Sequence, residues 1–421
     1  MTGLFSEHTL YKYLSRYGVP LIILVYYVTA AERFDYTPES TFTTLIEVKE
    51  GDAGSLWMVL LTLFDSFNLD VLLAAKTLSL LFCSGSLLFI FFVAHEVLRD
   101  HLSAFCVTLA VSMQAWFLQL GPSGSGVAFA LLLSLAALFF MLRNDYLLAT
   151  VFAGLGGIVS WQLAGLLFII LFDVSINSIS KTRSAKVAAS ILMVFAGIVL
   201  PWVLYAAYKG LFLIPNEIGV SDVPGISPQL SFMAVMLVGL MFVGIVLLAT
   251  RDREVLRSHS AIVLWTVTVP FLHTIMLALA LPLILIFAFL ALRLIVGMTG
   301  FPRAGDAVVV LLAAALLAYS QFVSRPPVYD LMERSISTTA EMKSAGLWLK
   351  THMNDDQTVS VPASYGGAVR FYSERMIGVS ETDFVLSDQN ELPGFGIVFD
   401  PASNEPDLHV VGQRYRIWRR L

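Results

Sequence analysis

The sequence predicts an α-helical polytopic membrane protein with a small C-terminal extracytoplasmic α/β domain. Three observations predict it. Hydrophobic residues make up 57% of the 421 and charged residues only 14%, against roughly 25% charge in an ordinary soluble domain. Apolar runs of spanning length recur along the chain, and mean hydropathy is +0.78. After Phe322 the chain turns polar and changes pattern. The net charge of -5 is too mild to point to a partner. No basic tract with interleaved aromatics is present, which argues against nucleic acid.

The N-terminal "MTGLFSEHTLYKYLSRYG" is polar and has no small-residue cleavage site after a short apolar core. Residues 19–31 therefore read as part of a retained first span and not as a cleaved signal. A spanning helix needs about 20 mostly apolar residues. Runs of that kind begin near residues 15, 72, 103, 125, 146, 162, 187, 230, 259, 278 and 304, and the last ends near Phe322. That is about eleven transmembrane helices. "SLWMVLLTLFDSF" (55–67) is too short and is interrupted by Asp65, so it reads as an interfacial helix.

Lys and Arg orient the spans. With a cytoplasmic N-terminus, the cytoplasmic segments hold Lys12, Arg16, Arg99, Arg143, Lys181, Arg183, Lys186, Arg251, Arg253, Arg257 and Arg303. The opposite connections hold only Arg33, Lys49, Lys76 and Lys209. An odd number of spans then puts the acidic stretch 32–52 and everything beyond Phe322 outside. The expected division is a transmembrane domain, 1–323, with a first outer loop at 32–70, and an outer α/β domain, 324–421. "SRPPVYD" reads as the linker.

In the outer domain "DLMERSISTTAEMKSAGLWLKTHM" has helical spacing. "TVSVPA", "RMIGV", "GFGIVFD" and "HVVGQRYRIW" read as strands bounded by Gly, Pro and Asp, with "GGAVRFYS" a short helix or turn. No disulfide holds this domain, because it contains no Cys. Cys83 and Cys106 fall inside apolar runs and read as small core residues. No CxxC, HExxH, Walker-type or GxGxxG loop is present, and "GLGG" (154–157) reads as helix packing.

The stretch "TPESTFTTLIEVKEG" (37–51) follows the first span. With it go "LLAAKTLSLLFCSGSLLFIFFVAHEVL" (72–98), "ALALPLILIFAFLAL" (278–292), and "WLKTHMNDDQTVSVPA" with the terminal "RYRIWRRL". This layout resembles the GT-C superfamily of membrane glycosyltransferases, of the protein O-mannosyltransferase and aminoarabinose-transferase type, with Glu39 at the family's acid position. The resemblance implies sugar transfer on the outer face of the membrane, from a polyprenyl-phosphate-linked donor to a protein, lipid or glycan. That chemistry needs a carboxylate to take the acceptor proton, a cation or metal to offset charge on the leaving phosphate, and an apolar groove for the tail. One base with direct displacement implies inversion at the sugar carbon.

On this resemblance Glu39 is the candidate base, with Asp35 a second carboxylate. The blander alternative is a solvated acidic loop. Glu47, Glu50 and Asp52 read as surface charges. A divalent metal at Asp35 and Glu39 is a possible cofactor. Candidate lipid-phosphate contacts are His273, Arg33, Lys76 and Gln162. The competing readings are a buried, hydrogen-bonded His and interface anchors for the two cations. The chain departs from the family at "LGPSGSGVAF" (120–129), which carries no charge, and at "SWQLAG" (160–165), where only Gln162 is polar enough to help. Trp57, Trp116, Trp161, Trp202 and Trp265 read mostly as an interfacial belt.

Two functions follow from different classes. One is an inverting glycosyltransferase whose partners are a polyprenyl-phosphate sugar and lipids. The other is a non-catalytic GT-C-like subunit that binds lipid or scaffolds other membrane subunits. The spans lack the paired charges and broken helices of a transporter.

Overall fold

The computed structural model describes residues 17–50, 54–177, 181–208, 228–251, 259–267, 274–298, 302–354, 357–362, 365–374, 383–387, 395–400 and 415–420. Each apolar run of the sequence contains a helix. In order these are α1 (Val19–Ala31), α4 (Val71–Leu98), α5 (His101–Ser112), α7 (Gly126–Leu142), α8 (Tyr146–Val159), α9 (Gly165–Asn177), α10 (Lys181–Tyr208), α11 (Pro228–Arg251), α12 (259–267), α13 (Thr274–Gly297) and α14 (Pro302–Tyr319). Among the described residues three helical segments are both long and apolar enough to cross a membrane: Val71–Leu98, Ala185–Tyr205 and Gly305–Val323. Others, such as α1 and α8, are apolar but shorter.

The sharp turns between helices are set locally. Arg99 and Asn144 take left-handed backbone, φ 50° and 59°. The Asp that follows each caps the next helix, Asp100 accepting from Ser103 N at 2.8 Å and Asp145 from Leu148 N at 3.3 Å. An Asp N-cap satisfies an amide that the first helical turn leaves unpaired. These caps let α4, α5, α7 and α8 double back tightly. Their apolar faces meet in one core that includes Tyr26, Leu87, Phe117, Leu131 and Phe287. At this end of the bundle the charges pair: Glu96 with Arg143 at 2.7 Å and Asp100 with Arg293 at 3.2 Å. The buried Asp173 accepts from Tyr146 Oη at 2.9 Å and Asn177 Nδ2 at 3.0 Å.

At the opposite end lie two short helices of the first connection, α2 (Glu39–Glu50) and α3 (Leu56–Ser66), and a third, α6 (Ala115–Leu120). Ser55 caps α3 by accepting from Met58 N at 3.3 Å. α3 buries Trp57, Met58 and Leu61 and leaves Leu63 and Phe67 exposed. Trp57 packs on Phe82 and Phe129. Trp57, Trp116 and Trp265 are all buried, which corrects the expectation of an interfacial belt for those three. Each fills a gap between helices that smaller side chains would leave open.

The segment expected to be the linker is helical. α14 runs through one wider π turn (Ser320–Ser324) into a long helix, α15 (Arg325–His352). Pro326 and Pro327 come just after this π turn, and the helical run continues past them. Ser320 Oγ donates to Met113 O at 2.5 Å, tying the turn to the end of α5. Beyond α15 come β1 (Val359–Ser360), α16 (Gly366–Ser373), β2 (Phe384–Ser387), β3 (Phe395–Phe399) and β4 (Arg416–Arg420). The sheet order is β1-β2-β4-β3, with β1 parallel to β2 and the other two pairs antiparallel. Strand β2 ("FVLS") was missed by the sequence reading, because four residues carry only two turns of alternation. "RMIGV" lies outside the described residues. The strand in "HVVGQRYRIW" starts only at Arg416 and runs on to Arg420. The core of this C-terminal unit joins Met342, Leu349, Val369, Phe384, Leu386 and Ile417.

Candidate functional site

The chain leaves α1 through a turn at residues 32–35 and an extended stretch at 36–38, and enters α2 at Glu39. Buried groups pin this bend. Tyr36 packs between Ala115 of α6 and Met332 of α15, and its hydroxyl accepts from Gln119 Nε2 at 3.0 Å. Thr41 Oγ1 donates to Ser123 O at 2.9 Å. Asp35, between these anchors, stays exposed.

Beneath the bend lies Lys76, one and a half turns into α4 and only 6% exposed. Its ammonium donates to Phe34 O at 2.5 Å and lies 5.5 Å from the centre of the Phe34 ring. The charged groups acting on it are the carboxylates of Asp35 and Asp70 and the ammonium of Lys343. A buried ammonium is tolerated only with compensating charge and hydrogen bonds. Lys76 has three donors, and one of them is used within the described residues.

The uncharged "LGPSGSGVAF" now has a physical reason. Gly124 sits at φ +70°, and a Cβ there would lie 3.2 Å from Thr41 Cγ2 and 3.5 Å from Lys76 Cγ. The turn lies flush against Thr41 and Lys76, so a charged side chain has no room. Arg33 is engaged elsewhere: its Nη1 lies 3.5 Å from Glu333 and its guanidinium 4.7 Å from the centre of Tyr329, both on α15. Gln162 lies in the short turn between α8 and α9, where its Oε1 accepts from Ser160 Oγ at 2.8 Å. His273 lies outside the described residues. So does the side chain of Glu39, whose backbone opens α2.

The structure therefore buries Lys76 against Phe34 O, within the electrostatic reach of Asp35. It commits Arg33 to α15 and Gln162 to its own turn. It also adds Lys343, which sequence reasoning missed. Lys343 lies some 270 residues from Lys76, and no local pattern links the two. Among the described residues no three His, Cys, Asp or Glu side chains gather as a metal site.

A bundle of apolar helices, a pinned bend after the first helix that bears Asp35, and a C-terminal α/β unit make up this fold. Among solved structures, the chain is similar to ArnT from Cupriavidus metallidurans bound to undecaprenyl phosphate, with a TM-score of 0.58 at 12% identity over 96% of this chain and 98% of that one. It is similar to the same protein in the apo state, with a TM-score of 0.56 at 14% identity over 86% and 85%. It is similar also to the Archaeoglobus fulgidus oligosaccharyltransferase in the apo form, with a TM-score of 0.54 at 12% identity over 87% of this chain and 65% of that one. No family model matches the sequence, and no curated protein matches it. Likeness at such identities is a likeness of fold, and with the apolar helices it makes this a membrane protein.

Proposed function

We propose that the chain is an inverting glycosyltransferase that takes a polyprenyl-phosphate-linked sugar on the outer face of the membrane. The observation that carries this reading is the buried Lys76 ammonium beneath the bend that bears Asp35. Lys/Arg asymmetry supports the orientation, with the bend and the C-terminal unit outside and about eleven spans between the ends. In the step, a carboxylate of Asp35 or Glu39 takes the proton of the acceptor hydroxyl. The acceptor oxygen bonds to the anomeric carbon as that carbon's bond to the phosphate oxygen breaks. The electron pair leaves with the polyprenyl phosphate, and Lys76 offsets its charge. A divalent ion, if bound, would be held by Asp35 and Glu39 and would supply a second source of positive charge. Transfer that survives EDTA favours the lysine.

The test is sugar transfer in membranes. Asp35→Asn with Glu39→Gln lowers transfer by about 10²–10⁴-fold. Lys76→Met lowers it by about 10²–10³-fold. Undiminished transfer with both carboxylates changed would sink their role. One observation favours a second reading, a non-catalytic subunit: Lys76 and Arg33 are each already engaged by the chain's own groups, Phe34 O and Glu333. Purification in mild detergent as a stoichiometric complex with unrelated subunits, and no binding of undecaprenyl phosphate, would favour that reading.

A further inference from the structure

We propose that the C-terminal unit is the positioning element of the carboxylate bend, and that Phe42 is the residue through which it acts. The functional consequence rests on Asp35 and Glu39 being the site carboxylates. The grip itself rests on contacts alone.

The unit holds the segment from Arg33 to Glu50 at both ends. At the front, α15 takes Arg33 between Glu333 and Tyr329, and takes Tyr36 on Met332 and Ile336. At the back, α16 packs along α2. Phe42 is 1% exposed; among the described residues the other buried members of its core run from Met342 onward, with the partly buried Leu72 of α4 packed against it. Its ring lies 5.6 Å from those of both Phe371 and Tyr372. Around it run ion pairs: Arg370 with Glu50, Glu374 with Lys350 at 2.9 Å and Glu374 with Lys49 at 3.9 Å. Burial and then the Asp70 carboxylate push the Tyr372 hydroxyl up to about 12.

Magnitudes rank these contacts. The ion pairs are half exposed, and such pairs contribute little. A fully buried phenyl ring contributes several times more. Phe42 is therefore the anchor, and the ion pairs set its register. Asp35 follows Arg33 by two residues, and Glu39 precedes Phe42 by three. The backbone positions of both residues thus lie between the two grips. A displacement of about 1 Å in a reacting group costs roughly 10²-fold in rate. A unit remote in sequence thereby sets the geometry of the bend.

α15 and α16 are themselves locked at Gly346. A Cβ there would lie 2.7 Å from Tyr372 Cβ and 3.2 Å from both Ser373 N and Val369 O. Two of those three neighbours are backbone atoms that cannot rotate away, so Gly346→Ala pushes α16, and α2 with it.

The test uses the full-length chain in nanodiscs, with spin labels at Thr43→Cys on α2 and Leu81→Cys on α4, and with Cys83 and Cys106 replaced by Ala. Pulsed electron resonance reads the distance between the labels. The distribution is narrow in the parent. Phe42→Ala and Gly346→Ala broaden or shift it, and Phe42→Leu restores it. Leu386→Ala, in the same core but on β2, lowers the melting temperature without moving the distance. Should Phe42→Ala fail to fold, the surface pair decides: Glu50→Arg and Arg370→Glu each broaden the distribution, and together they narrow it again. A distribution unchanged in every folded variant would overturn the proposal. The distances need no donor sugar. Broadening in a chain that transfers nothing would remove the enzyme reading and leave the grip standing.

Discussion

α4 and α10 are both 28-residue helices, and the apolar window of each has nearly the same hydropathy, 2.2 and 2.4. Yet 56% of that window is buried within the protein in α4 and 6% in α10. Hydropathy alone does not separate them. α4 buries polar groups along its length, among them Lys76, Ser79, Ser84 and Ser86. Ser79 finds its partner on another element, Leu120 O at 3.0 Å. α10 exposes Leu192, Met193, Leu200, Leu204 and Tyr208, the surface expected of a helix that meets lipid. Apolarity admits a helix to the membrane. What it packs against decides whether it carries chemistry.

The largest effect that tests this contrast is a matched truncation. Leu87 on α4 is fully buried and Leu200 on α10 is 54% exposed. Leu87→Ala costs about 2–5 kcal/mol through the cavity it leaves. Leu200→Ala costs within about 0.5 kcal/mol, because lipid replaces the lost contacts. Thermal unfolding in one detergent compares the two. Equal losses would show that α10 has a protein partner on that face.

A smaller effect has the opposite sign. Gly197 on α10 has nothing within 4 Å of where a Cβ would sit. Gly197→Ala therefore stabilises by roughly 0.4–1 kcal/mol, by restricting the unfolded chain. On α4, Gly85→Ala would instead press on Leu132 Cδ1 at 3.2 Å. A destabilising Gly197→Ala in the same melt would place another surface against α10.

The smallest effect separates the ends of the two helices by pH. A hydrogen bond from Lys350 holds the Glu374 carboxyl below its usual 4.5, against the opposing effect of burial and with further help from the charges of Lys350 and Lys49. A depressed carboxylate binds fewer protons when docked than when free. Its contribution is therefore present above the usual value and lost as pH falls through the docked one. Glu374 is half exposed, so screening leaves roughly 0.2–1 kcal/mol. Below pH 4.5 the label distance from α2 to α4 broadens, while α10, which makes no such contact among the described residues, keeps its mobility. A distance indifferent to acid would remove the Glu374 pair from the docking.

Much of the bundle was legible in the sequence. The apolar runs expected near 72, 125 and 146 begin within a residue of α4, α7 and α8. Asp caps and left-handed turns act within a few residues, so local sequence carries them. The turn after the first apolar run was legible too, and Asp35 lies exposed in it. Lys76 was legible only as a charge. On paper it was an anchor or a phosphate contact, and its burial depends on Phe34 folding back over it. Glu50 read as a surface charge and is paired with Arg370 across 320 positions.

The sequence by itself determined what depends on composition and near neighbours: the apolar helices suited to a membrane, the approximate place of each apolar run, and a polar α/β end without Cys. Tertiary structure alone decided which helices face one another. It decided that "SRPPVYD" is the start of a helix, that Phe42 belongs to the core of a unit that begins some 280 residues later, and that one lysine lies beneath the bend of Asp35. The reason is physical. Hydropathy and capping are properties of a residue and its close neighbours, whereas burial of a charge or a ring is a property of whatever the chain brings against it.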